Sequence, residues 1–81
     1  MELLSAILLV TKCENAEELK ALSRERKEKL ANSLEERVPS GLATIEEWNE
    51  LLTVFTGEGH ENDKKTAKQK LLAHLRGEEV L

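Results

Sequence analysis

The residues of this chain able to do chemistry are few and scattered. Glu58, His60, Glu61 and Asp63 crowd one short stretch, and carboxylate and imidazole are donors that a divalent cation accepts. Their spacing is not that of an EF-hand loop. Nor is it H-E-x-x-H, because His60-Glu61 has no second histidine one helical turn later. A solvated loop with no bound metal is the expectation. His74 falls near the end of a helical stretch, where a helix dipole favours a protonated imidazole, and Cys13 is the one thiol, with Lys12 as its neighbouring cation. The two lie in different segments. A structural role is expected for both, and nothing else in the chain amounts to a catalytic set or a cofactor motif. We therefore expect a non-enzymatic protein without a cofactor.

Two basic clusters are candidate contacts for nucleic acid. Arg24, Arg26 and Lys27, followed by Lys29, occupy one; Lys64, Lys65 and Lys68, followed by Lys70, occupy the other. Glu25 and Glu28 interrupt the first run, and helical spacing spreads the lysines of the second around a cylinder, whereas phosphate recognition needs them on one side. Trp48 and Phe55 lie on a regular apolar stripe and are expected in the core, so they offer no exposed platform for bases. The alternative is that these two aromatics anchor a protein partner. The terminal Glu78-Glu79-Val80-Leu81 is similar to peptides captured by their free carboxylate, but a frayed tail is the simpler expectation.

Bulk composition narrows the class. Eighty-one residues suit one domain near the size at which a single core only just offsets the entropy lost on ordering the chain. A lone cysteine excludes an internal disulfide, and no Cys/His spacing fits structural zinc, so self-association is the stabilising device left. The net charge of −4, with 35% charged residues, gives no long-range attraction to nucleic acid or anionic lipid. The run from Leu3 to Val10 is too short to cross a bilayer and lacks the basic start of a secretory signal, so no membrane association is expected. The cytoplasm is the expected compartment.

The elements that must position these residues read as helices. Fifteen leucines against six valines and isoleucines, with abundant Ala, Glu and Lys, favour helix over strand. Breaks at 11–15, 38–43 and 57–62 divide the chain into helices expected at about 2–10, 16–37, 45–56 and 63–76. Asn15 caps the second, with Glu18 completing an approximate capping box, and Pro39 ends it after roughly 22 residues, about 33 Å at 1.5 Å per residue. Part of its charged middle is expected to stand clear of the core. Thr44 and Glu47 form the T-x-x-E box of the third, whose stripe is Ile45, Trp48, Leu51, Leu52 and Phe55, and Gly57 closes it. The fourth, capped by Asn62 or Asp63, turns Ala67, Leu71 and Leu75 inward with Leu72 at the margin. From Lys64 to Arg76 there are five positive charges and no negative one, and from Thr44 to Glu58 four negative and no positive. An antiparallel hairpin with acidic and basic faces adjoining follows.

The first helix is apolar nearly all round, leaving only Glu2 and Ser5 for water. Periodicity alone also permits a short buried strand, for which the chain offers no obvious partner. Three other short helices would struggle to enclose such a helix, so Leu3, Leu4, Ile7, Leu8 and Val10 are expected at a subunit interface. The reading is an all-α bundle of three to four helices completed by homodimerisation, in one domain covering 1–81. It is expected to act as a small regulator or inhibitor that binds another protein. A nucleic-acid-associated regulator using the basic residues is the alternative.

Overall fold

The computed structural model describes residues 2–77, and the expected tail from Glu78 to Leu81 lies outside them. Five α-helices follow in order: α1 Leu3–Thr11, α2 Ala16–Lys20, α3 Arg24–Arg37, α4 Ile45–Thr56 and α5 Lys64–Arg76, with a 3₁₀ turn at Ser40–Leu42 before α4. No strand occurs among the described residues. None of the helices is long and apolar enough to cross a membrane, again among the described residues. The fold is thus all-α, and its principal extents are 32 × 28 × 23 Å.

The hairpin of α4 and α5 is the centre of the bundle. Thr44 Oγ1 accepts from the Glu47 amide at 3.1 Å while the Glu47 carboxylate accepts from the Thr44 amide at 3.2 Å, so the capping box is complete. Gly57 ends α4 at φ 86°, a left-handed conformation open to a residue without Cβ. Trp48, Leu51, Leu52 and Phe55 then face the core at helical spacing, and Ala67, Leu71, Leu72 and Leu75 meet them from α5. Trp48 has no solvent exposure, and its indole Nε1–H donates to the Ser40 carbonyl at 2.9 Å. The 3₁₀ turn thereby satisfies the one polar atom this large side chain buries. Leu72, expected at the margin, is inside.

The other helices flank this hairpin. α3 packs along α5, whereas α1 and α2 pack on α4 and on each other. The cations of α5 do not answer the acids of α4, as the opposite charges of the two helices suggested. Lys70 pairs with Glu61 at 2.5 Å in the loop, Lys68 donates to the Val38 carbonyl at 2.7 Å, and Arg76 bonds Glu35 and Asn32 on α3. Apolar packing holds the hairpin, and Lys68, Lys70 and Arg76 run outward to its other neighbours.

The expected long second helix is two helices. Asn15 caps α2 by accepting from the Glu18 amide at 3.0 Å, and the Glu18 carboxylate closes the box one residue earlier than expected, on the Glu14 amide. At Ser23 the backbone turns extended, with ψ 160°, and the hydroxyl accepts from the Arg26 amide at 3.3 Å to start α3. Two tertiary demands compete along this segment. Leu19 and Leu22 are buried on the side of α1 and α4, Leu30 and Leu34 on the side of α5. Serine is a poor interior helix residue and a good cap, so the chain breaks there. The charged residues after it belong to the first turns of α3, not to a projecting middle.

Candidate functional site

The loop between α4 and α5 is built to be held. Asn49 Nδ2 donates to the Glu61 carbonyl at 2.9 Å, and the Glu61 amide donates back to Asn49 Oδ1 at 2.9 Å. Gly59 lies so close to α4 that a Cβ there would sit 2.1 Å from the Asn49 carbonyl oxygen. Glu58, His60 and Glu61 line one open cleft of about 480 Å³ with Lys70, Thr56, Leu52 and Ala73. Lys70 already neutralises Glu61 there, and Asp63 is occupied as the cap of α5, accepting from the Thr66 amide and hydroxyl at 3.0 Å. Those bonds, the backbone one first, hold the Asp63 carboxyl below its ordinary range, with a smaller contribution from Lys65. Among the described residues no group of three or more His, Cys, Asp or Glu side chains is placed to hold a metal ion.

Cys13 and His74 have different neighbours. Cys13 is half-buried against the core, its Sγ directed at the Thr11 carbonyl 3.9 Å away. His74 is half-buried on α5 with its ring centroid 6.3 Å from that of Phe55. The basic candidates divide between two helices and are partly engaged. Arg24 pairs with Glu28 at 3.8 Å, Arg26 donates to the Thr11 carbonyl at 2.8 Å, and Lys68 caps the end of α3 through Val38. Lys27 and Lys64 are half-buried, and Lys65 is exposed. Lys65 and Lys68 do share a cleft of about 400 Å³ beside α3 with Arg76, Gln69 and Ser40, but Glu35 faces them across it.

Of the expected interface residues, Leu3 and Ile7 are buried inside this chain's own core, and Leu4 and Leu8 are half-buried against it. The bundle therefore encloses more of α1 than its apolar circumference suggested. It does so because α2 and α4 together cover the side that carries Leu3, Ile7 and their neighbours. Only Val10 of that set stays exposed, at 70%, and Leu9 beside it reaches 81%.

What the helices leave open lies between α1 and α3, which pack on the hairpin and not closely on one another. Leu3, Ala6, Ile7 and Val10 on α1 and Leu30, Ser33, Leu34 and Arg37 on α3 line a groove of about 240 Å³, extended by Val38 and Leu42, in which Leu3, Ile7, Leu30 and Leu34 form a buried floor. Both sets repeat at i, i+3, i+4 and i+7, the spacing of one helix face. Every side chain of the groove except Ser33 and Arg37 is apolar. Leu42, half exposed after α3, stands at one end, and Val10 stands at the other, where Arg26 reaches the last turn of α1. The lining continues past Val10 into a more polar stretch with Thr11, Ser23, Glu25, Arg26 and Lys29. The α3 half of this surface was not among the expected site residues. Leu30 and Leu34 lie on one apolar stripe with Leu19 and Leu22, but nothing local connects residues 30–37 with residues 3–10. No protein-family model, no curated protein and no solved structure matches this chain.

Proposed function

We propose that this chain is a non-enzymatic interaction protein, a small regulator or inhibitor that works by binding another protein. The observation that carries the reading is the exposed apolar rim of the α1–α3 groove: Leu3, Ile7, Leu30 and Leu34 fill its floor, while Val10 and Leu42 are open to solvent beside it. Apolar side chains grouped in this way gain by being covered, at about 25 cal/mol per Å² of apolar area removed from water. Among the described residues Leu9, Val10 and Leu42 are the large apolar side chains left exposed, which singles this rim out. Homodimerisation is the second half of the proposal. Leu9 projects from an α1 that carries no charge between Leu3 and Thr11, so two copies can approach along this helix without burying an ion.

Both halves can be tested on one variant pair. Proteins captured from the native lysate by the unmodified chain should be lost when Val10→Glu and Leu42→Glu are combined, and an unchanged capture set would overturn the assignment of the groove. Sedimentation velocity should show a dimer at micromolar concentration that Leu9→Glu converts to a folded monomer. A monomer in the unmodified protein at that concentration would remove the dimer from the proposal.

A further inference from the structure

Resting on the homodimer reading, we infer that α1 pairs with the same helix of a second copy, antiparallel about a two-fold axis, with Glu2 of each copy beside Lys12 of the other. The outward side of α1 sets this pairing. Glu2, Ser5, Leu9 and Lys12 are all exposed and follow one another at i, i+3, i+7 and i+10, the spacing that keeps residues on one helix face. The face is acidic before the first turn and basic after the last, with the small Ser5 one turn from the large Leu9. It is self-complementary in one direction. An antiparallel pair centred level with Ile7 puts Glu2 opposite the partner's Lys12 and, in the same register, Leu9 opposite the partner's Ser5, because both pairs are equidistant from residue 7. Each leucine then covers a serine instead of meeting a leucine, and two pairs of opposite charge form about 15 Å apart at 1.5 Å per residue. A parallel pair would set Glu2 against Glu2 and Lys12 against Lys12.

The other exposed apolar side chains fit the same symmetry. Val10 and Leu42 stand on the α3 flank of α1, at opposite ends of the groove. A two-fold axis perpendicular to the helix exchanges its ends and keeps that flank on the same side, so Val10 of each copy comes to the end where the partner's Leu42 stands. Leu9, Val10 and Leu42, the large apolar side chains left exposed among the described residues, are thereby all used. The same rotation brings Glu14, exposed beyond the last turn, to the end that carries the partner's Arg37. Arg26 is held by the Thr11 carbonyl at 2.8 Å and Lys29 by Glu25 at 3.8 Å, so both are engaged within their own copy. A helix about 13 Å long and 10 Å across is a smaller contact than the roughly 800 Å² per partner of a standard interface. The dimer is therefore weak, and its direction depends on the charged ends.

Sedimentation velocity across the micromolar range at low salt tests the direction with Glu2→Lys, Lys12→Glu and the two combined. Each single variant should dimerise on the order of tenfold more weakly than the unmodified chain, since both pairs between the copies become repulsive, and the loss should shrink as salt rises. The combined variant should recover the parent affinity to within about threefold, because exchanging both charges restores both pairs. Any effect of the substitutions on the helix itself would add in the combined variant instead of cancelling, and circular dichroism reports that all three stay folded. A dimer that Leu9→Glu dissociates, but that the single charge reversals leave unchanged, overturns the antiparallel pairing and leaves the homodimer reading standing. A parallel pair gives that result, since reversal there exchanges one like-charge contact for another. A combined variant no stronger than the single ones overturns the pairing as well. An unmodified chain that stays monomeric removes the homodimer and this pairing with it, and loss of a lysate protein on Leu9→Glu would then give the face to a different partner.

Discussion

Gly59 and Asn49 show how much a single position decides when the backbone of a loop is pressed against a helix. The glycine is required by proximity and not by a left-handed backbone, since its missing Cβ is what lets the loop reach the Asn49 carbonyl. Gly59→Ala should therefore force the loop away from α4, loosen the two amide bonds to Glu61, and cost about 1–3 kcal/mol, the range for overpacking a tight contact. Urea unfolding of the variant measures it, and a change under a few tenths of a kcal/mol would show that the loop moves freely. Asp63 closes the same loop, and its pH behaviour follows from the bonds it accepts. Its folded pKa lies below the unfolded value, so the folded state binds this proton less readily than the unfolded chain. The contribution is complete above the ordinary aspartate range, near pH 4, and is lost as the pH falls through the lowered folded value. Asp63→Asn keeps a capping acceptor while removing the titration, so thermal melts between about pH 4 and pH 2 should fall less steeply in the variant. An identical slope would show that Thr66 does not favour the ionised carboxylate. The Asp63 cap was legible in the sequence, but the contact of Gly59 with Asn49 was not, because nothing local connects position 49 with positions 59–61.

At the scale of elements, legibility depended on whether the signal was local. The boundaries of α4 could be read because Thr44, Glu47 and Gly57 act within one turn of themselves, and α5 because Asp63 and Gly77 do the same. The break between α2 and α3 was missed because Leu19, Leu22, Leu30 and Leu34 keep a nearly continuous stripe across it, and Ser23 lacks the Glu or Gln three residues on that completes a capping box. What splits the segment is tertiary: its two halves pack on opposite sides of the hairpin. The Ser23 hydroxyl then provides the local means. Ser23→Ala should cost about 1 kcal/mol, the usual loss when an N-cap acceptor is removed, while Ser23→Asp should cost nothing or stabilise by favouring the first-turn amides of α3. Chemical denaturation of the two variants makes the comparison. A Ser23→Ala protein as stable as the parent would mean that packing alone fixes the break.

The whole molecule decides what α1 is for, because only the assembled bundle divides its apolar circumference into a buried side and an open one. Leu3 and Ile7 are inside, at 1% and 4% exposure, whereas Leu9 and Val10 project outward. The sequence shows an all-apolar helix and cannot say which of its residues serve folding and which serve binding, since that depends on where α2, α3 and α4 stop. Substituting the same charge on the two sides separates the roles. A carboxylate at Ile7 would be buried without a partner, at a cost of several kcal/mol, against a total stability of roughly 4–12 kcal/mol for a chain of this length at 0.05–0.15 kcal/mol per residue. Ile7→Glu should therefore leave the protein largely unfolded at room temperature. Val10→Glu places its charge in water, and substitutions at such positions change stability by about 0.5 kcal/mol or less. It should melt within a few degrees of the parent while losing whatever binds the groove. Circular dichroism melts of the two proteins test the division directly. If Val10→Glu unfolds as completely as Ile7→Glu, the exposed flank of α1 is buried in an assembly the chain needs in order to fold, and folding and association are a single event. If the melts differ as expected, the bundle stands on its own core, and the groove is free to serve a partner.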